Sequence, residues 1–283
     1  MKRQGMFLPL ALMLIGLPAW GVTESTIHNF AGGVYSGYPY SGLVFDFAGN
    51  AYGTAVGGGA GYGTIYQLVP SQSGWTANLL YSFDNITGAS PSGPLVLDDA
   101  GNLYGTATYG GSMAGFCQSS GCGTVFELKK ASGGWTLSVL YTFSGDSDGA
   151  HPTAGLVFDK SGNLFGTASY AGNSLASGTV FELSPFAGAW TESTVYTFGA
   201  KGDGATPISG LTPGGSGIFY GTTEFGGANN LGTVYQLTKI ASGWKETILH
   251  CFNGTDGSLP LGGSLLLRQG TLYLWHNRHR RGL

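Results

Sequence analysis

The sequence predicts an all-β protein, a β-propeller of four-stranded antiparallel blades, about five in number with the last incomplete. Three observations predict it. The 283 residues include 52 Gly, and aromatics make up 13% against 10% charged residues. So much Gly without a Gly-X-Y period is not collagen, and the aromatic content opposes disorder. A four-part motif then recurs along the chain. Its third part begins at Gly63, Gly123, Gly178 and Gly232, at intervals of 60, 55 and 54 residues. Each part also alternates with the two-residue period of a strand. A β-solenoid or a tandem of sandwiches is the competing architecture.

Taken in order, residues 1–21 read as a secretory signal peptide. Lys2 and Arg3 form a positive start, Met6 to Leu17 is an apolar run too short to span a bilayer, and Ala19-Trp20-Gly21 offers a cleavage site. The rest, 22–273, reads as one repeat domain. A strand from Glu24 to Phe30 comes first and resembles the last strand of a blade. Four units follow, near 42–83, 93–143, 155–198 and 210–252, and a partial unit near 264–273.

Within a unit, strand a is apolar and ends in Asp (Asp46, Asp98, Asp159). Strand b carries aromatic-Gly-Thr. Strand c reads Gly-Thr-(Val/Ile)-aromatic-(Glu/Gln)-Leu. Strand d runs from Trp (Trp75, Trp135, Trp190, Trp244) to Phe. Asp-x-x-Gly-Asn between a and b is hairpin chemistry, because Gly supplies positive φ and Asp and Asn bond nearby backbone. The Gly in strand b (Gly53, Gly105, Gly166, Gly221) is expected where backbones crowd near an axis. In the fourth unit Pro213 is expected at the Asp position.

The tail, 274–283, breaks the pattern. It holds Arg278, Arg280 and Arg281 together with His276 and His279. Codons chosen for Leu-Trp-His-Asn, read one base later, give Tyr-Gly-Thr-Thr, the strand-b motif. The expectation is a frameshifted end that truncates a longer repeat protein, leaving a non-functional remnant as one reading of the chain. Sequencing the locus tests it.

The combination Gly-Leu-Val-Phe-Asp, Gly-Asn-Leu-Tyr-Gly-Thr, Gly-Thr-Val-Phe-Glu-Leu and Gly-Trp resembles the bacterial tandem-repeat family called GloVer, of the choice-of-anchor kind. The likeness spans nearly all of 24–273. It implies an exported repeat protein of unknown activity and supplies no catalytic residues. NHL-type propeller blades, which share the Asp-x-x-Gly-Asn-aromatic hairpin, are a looser likeness.

Candidates for chemistry are few, and no catalytic residues stand out. No Ser-His-Asp arrangement and no His-rich metal motif appears. Asp-Gly-x-x-Pro recurs before strand a, at Asp148, Asp203 and Asp256, with Asp146 beside the first. These carboxylates suit Ca²⁺, or else simply organise turns. No other cofactor is implied. Cys117 and Cys122, five apart in one loop, suit a disulfide in an oxidising compartment. Tyr38, Tyr109, Tyr170 and Phe225, with Tyr35 and Phe116, lie in loops, where aromatics either stack on sugars or pack locally. His151 is unique to one unit.

The region between the signal segment and the tail holds 15 Asp and Glu against seven basic residues. That sign repels nucleic acid. The expected partners are a carbohydrate or a cell-surface protein, with no transmembrane span after signal cleavage, and a monomeric state. The sequence therefore predicts an exported, periplasmic or extracellular, binding module. A propeller hydrolase or lyase acting on carbohydrate or lactone is the alternative.

Overall fold

The structure, a computed structural model, describes residues 25–30, 37–113, 117–171, 178–261, 265–268 and 271–274. The signal segment, Tyr35, Phe116 and residues 275–283 of the tail lie outside the described residues. The protein is all-β, with four-stranded antiparallel sheets and no α-helix among the described residues.

In the first blade β1 (Val44–Phe45) bonds to β2 (Ala51–Ala55), β2 to β3 (Thr64–Ser71) and β3 to β4 (Gly74–Ser82). The second repeats the order with β5 (Val96–Leu97), β6 (Leu103–Ala107), β7 (Thr124–Ala131) and β8 (Gly134–Thr142). The third has β9 (Val157–Phe158), β10 (Leu164–Ala168), β11 (Gly178–Phe186) and β12 (Ala189–Phe198). In the fourth, a short ribbon of β13 (Gly204–Ala205) and β16 (Phe225–Gly226) accompanies the sheet β14 (Thr212–Gly215), β15 (Ile218–Thr223), β17 (Thr233–Ile240) and β18 (Gly243–Cys251). A hairpin of β19 (Leu265–Arg268) and β20 (Thr271–Leu274) follows.

The a–b hairpins close as their residues dictate. Asp98 Oδ1 accepts from the Ala100 and Asn102 amides at 3.0 and 2.8 Å, and its Oδ2 accepts from Asn102 Nδ2 at 2.8 Å. Asp46 and Asp159 make the same bonds. Burial raises the Asp46 carboxyl, but the bonds from Asn50, Tyr52 and Ala48 outweigh it and hold it below its usual value.

Blades join through one repeated ring contact. Phe83 at the end of blade 1 meets Phe126 of β7 edge-on at 5.3 Å. Phe143 meets Phe181 at 5.1 Å, and Phe198 meets Tyr235 at 5.0 Å. Each c–d pair shifts register just before that c-strand ring, at Ile65/Tyr66, Val125/Phe126, Val180/Phe181 and Val234/Tyr235. The bulge sits beside the ring that takes the neighbouring blade's Phe. Edge-to-face rings of this kind add about 0.5–1.5 kcal/mol each beyond their buried area.

Three expectations need correction. Residues 25–30 form no strand. A d strand needs a c strand to bond, and each of β3, β7, β11 and β17 already has its own partner. Phe30 nonetheless packs on Tyr66 at 5.0 Å, the place a preceding blade's Phe would take. Second, the strand-b glycines do not mark crowded backbones. A Cβ on Gly105 would meet Phe126 Cζ at 2.7 Å and Leu95 Cδ2 at 2.8 Å, so the missing side chain makes room for the c-strand ring of the same blade. Backbones crowd instead at the starts of the a segments. There a Cβ on Gly93 would meet the Ala154 carbonyl carbon at 2.6 Å. Third, Pro213 pairs with Phe219, as Phe45 pairs with Ala51, so Gly214 and not Pro213 takes the Asp position. The Tyr220 ring fills that space.

Candidate functional site

Antiparallel order puts the a–b and c–d turns at one end of each blade, and the b–c loops and d-to-a connections at the other. The second end, the loop face, gathers the candidate aromatics. One residue per repeat there takes a left-handed backbone: Tyr38 (φ 62), Ser90 (φ 52), His151 (φ 54), Thr206 (φ 57) and Leu259 (φ 49). Each precedes a Pro. Pro91, Pro152, Pro207 and Pro260 lie so close to Gly63, Gly123, Gly178 and Gly232 of the preceding blade's strand c that those positions admit no Cβ. A non-Gly residue at positive φ is uncommon, and five in register form a fixed feature of the scaffold. The Pro is constant while the residue before it differs every time. A rigid frame thus carries five different side chains, of which Thr206 is buried.

In three of the repeats the residue before the left-handed position pairs with the first b–c loop residue. Ala89 bridges Tyr109, Ala150 bridges Tyr170, and Ala205 of β13 pairs with Phe225 of β16. His151 therefore lies between two tyrosines. Its ring is 5.1 Å from Tyr109 and 5.2 Å from Tyr170, edge-on to both. The His151 ring also bonds the Gly121 carbonyl, and its backbone amide donates to the Cys122 carbonyl at 2.8 Å. Nε2 is buried without a partner, so Nδ1 is the atom that donates to Gly121. Burial pushes the imidazole below its usual value, against the opposing effect of that bond. Its neutral form leaves Nε2 as an acceptor.

Cys117 and Cys122 are bonded to each other. Their loop is the insertion that makes the longest repeat interval, and its end holds His151. Two departures from the repeat, the insertion and the histidine, thus meet at one point.

The other candidates fall as follows. Tyr38 stacks on Tyr40 at 6.3 Å, and the two are 71% and 72% exposed. Phe225 is half-buried and makes no ring contact among the described residues. The four aspartates are not brought together. Asp148 accepts from Tyr141 OH (3.0 Å), from Ser144 N (2.7 Å) and Oγ (2.6 Å), and from Asp146 N (3.2 Å). Asp203 accepts from Tyr196 OH at 3.0 Å and the Gly204 amide at 2.7 Å. Asp256 accepts from the Asn253 amide and pairs with His250 Nε2 at 3.0 Å. Among the described residues no three His, Cys, Asp or Glu converge in a way that would hold a metal ion.

Asp148, Asp203 and Asp256 clasp a loop to strand d of their own blade. Thr87 does the same with Tyr81 OH at 3.1 Å. Two of them also face a carboxylate of the following blade. Glu192 is raised by burial and by Asp148. Glu246 is pushed up to about 7 by burial first and then by Asp203, with which it shares a hydrogen bond. The Tyr235 hydroxyl lies beside this pair, fully buried and without a partner, and burial with the two carboxylates raises it far above its usual value. The sequence did not reveal this pair, because Asp203 and Glu246 lie far apart in the chain.

The family model of the Gloeobacter/Verrucomicrobia repeat matches residues 16–214 and again 113–281. The chain belongs to the Gloeobacter/Verrucomicrobia repeat family. No curated protein matches this repeat protein in sequence. Among solved structures, it is similar to a candidate 6-phosphogluconolactonase from Bacteroides uniformis, with TM-score 0.54 at 18% identity, over 85% of this chain and 65% of that one. It spans under two thirds of that protein's length, and the likeness concerns the fold alone. An endo-arabinase from Bacteroides thetaiotaomicron aligns at TM-score 0.46 and 10% identity, over 87% of this chain and 95% of that one. No described helix is long and apolar enough to cross a membrane.

Proposed function

We propose that this repeat protein is an exported binding module that holds neutral carbohydrate on its loop face. The observation that carries the reading is the Tyr109–His151–Tyr170 row, where a buried imidazole acceptor stands between two tyrosines. Aromatic rings offer apolar faces to sugar C–H groups, and Tyr109 is 39% exposed. Tyr38, Tyr40 and Phe225 extend the same face. Export is supported by the signal-like residues 1–21 and by the bonded Cys117–Cys122 pair, which suits an oxidising compartment. Binding is favoured over hydrolysis of a glycosidic bond. That reaction uses two carboxylates about 5 Å or more apart, whereas Asp203 and Glu246 share a hydrogen bond.

The test is calorimetric titration of the full chain with soluble neutral arabinan, glucan and mannan. At least one is expected to bind. Tyr170→Ala and Tyr109→Ala are each expected to weaken it about five- to tenfold, for a lost ring contact of ~1 kcal/mol. Absence of binding to all three, or binding that both variants leave unchanged, would overturn the reading.

A further inference from the structure

At the hairpin end, opposite the loop face, a groove of about 490 Å³ opens between the third and fourth blades. Its floor is two buried rings, Phe165 of β10 and Phe219 of β15, whose centroids are 4.6 Å apart. Trp244 of β18 stands 5.8 Å from Phe165 and 5.9 Å from Phe219. Phe158 and Pro213 complete the apolar lining, and Lys160 and Lys239 stand at the rim.

The groove opens where the repeat is broken in three places at once. Phe165 occupies the position of Tyr52 and Tyr104. In the first two blades those hydroxyls fill the equivalent space. Tyr52 OH donates to Asp46 at 2.9 Å and accepts from Gln67 at 2.9 Å, while Tyr104 OH lies 2.6 Å from Glu127 and 3.1 Å from Asp98. Phe165 has no hydroxyl. Pro213 replaces the bulkier Phe45, Leu97 and Phe158. Gly215-Ser216-Gly217 replaces the Asp-x-x-Gly-Asn hairpin, and β14 shifts register against β15 there. Each change removes volume or a polar plug from one place.

Positive charge exceeds negative at the rim, two lysines against the one Asp159 carboxylate. Asp159 also lines the groove, but its oxygens are spent on Ser161 and on the Asn163 amide and side chain. Among the described residues neither Lys160 nor Lys239 forms an ion pair. Lys239 Nζ instead lies 5.5 Å from the Trp244 ring centroid. Two of the 12 Lys and Arg residues of an acidic chain thus border one slot. A pocket of this size with an aromatic floor and a polar rim suits a small planar ligand that carries a polar group. The ammoniums select an anion.

We propose that this groove binds small aromatic carboxylic acids. The ring lies between Phe158 and Trp244 over the Phe165–Phe219 floor, and the carboxylate faces Lys160 and Lys239. The site lies away from the carbohydrate face and does not depend on it. The experiment titrates the full chain with 2-naphthoate, with uncharged naphthalene-2-carboxamide and with 2-naphthylmethylammonium. Naphthoate is expected to bind about fivefold or more tighter than the carboxamide, and the cation to bind weakest. Lys160→Gln and Lys239→Gln each weaken naphthoate about fivefold, as expected for a partly exposed charge pair, and leave the carboxamide unchanged. Phe165→Tyr installs the residue the repeat already carries at Tyr52 and Tyr104. It returns a hydroxyl toward Asp159, abolishes naphthoate binding and leaves the thermal midpoint at or above its starting value. Equal affinity for naphthoate and carboxamide, indifference to Lys239→Gln, or no binding at millimolar naphthoate would overturn the proposal.

Discussion

Glu246→Gln is expected to stabilise the protein at pH 8 and to leave it unchanged at pH 4. Glu246 of β18 faces Asp203 from the preceding blade's d-to-a connection. The hydroxyls of Tyr196 and Tyr235 stand around the pair, and no Lys or Arg forms an ion pair with either carboxylate among the described residues. Its carboxyl is pushed from a usual 4.5 up to about 7, by burial first and then by Asp203. The fold therefore favours the protonated form. The stability this form brings is full below about pH 4.5 and is lost as pH rises through about 7. At ~1.4 kcal/mol per pH unit the rise sets a ceiling of ~3 kcal/mol. The side chain is half-buried and solvent screens the pair, which brings the expectation to ~1–2 kcal/mol.

Glutamine keeps the shape of the protonated acid, and its amide still donates to Asp203, but it cannot ionise. In a protein of this size ~1–2 kcal/mol corresponds to roughly 3–6 °C in thermal midpoint. The assay is thermal unfolding by circular dichroism of both chains at pH 4 and pH 8. A gain at pH 8 that is absent at pH 4 supports the account. An equal effect at both pH values, or destabilisation at pH 8, would refute it.

Further outcomes follow from the same contacts. Asp98→Ala removes the acceptor for two amides and the Asn102 side chain and should cost ~2 kcal/mol in urea unfolding. Gly105→Ala would drive a methyl into Phe126 and Leu95, and should lower the thermal midpoint by the equivalent of ~1–3 kcal/mol. Phe143→Ala empties the contact with Phe181 between blades 2 and 3 and should cost ~3–5 kcal/mol in the same assay. Reducing Cys117–Cys122 opens a short loop, which should cost ~2 kcal/mol. Because that loop holds the His151 ring, reduction should also weaken any glycan bound on the loop face, read by titration with and without reductant.

Much of this molecule is legible one residue at a time. Asp98, Gly101 and Asn102 specify their hairpin locally, so the a–b turn could be read without knowing the blade. The c-strand pattern of Thr124 to Leu128 marks a strand, all five of whose side chains are buried, and the four copies of the motif match the four four-stranded sheets described. Errors arose where a residue's role depends on a partner far along the chain. Gly105 looked like room for a backbone, but it is room for Phe126. Glu24 to Phe30 has the pattern of strand d, yet 25–30 has no c strand to pair with. His151 stood out as unique, but nothing in the chain order shows Tyr109 and Tyr170 on either side of it.

The sequence by itself determined the strands of the four repeat units, their turns and their antiparallel order within a blade. These follow from short-range hydrogen bonding and from a period that repeats. Only the tertiary structure decided what lies between blades: the His151 row, the Asp203–Glu246 pair and the groove beside Trp244. The physical reason is that each is made by side chains from two different repeats, and contact between repeats is set by the packing of sheets, which no single repeat records.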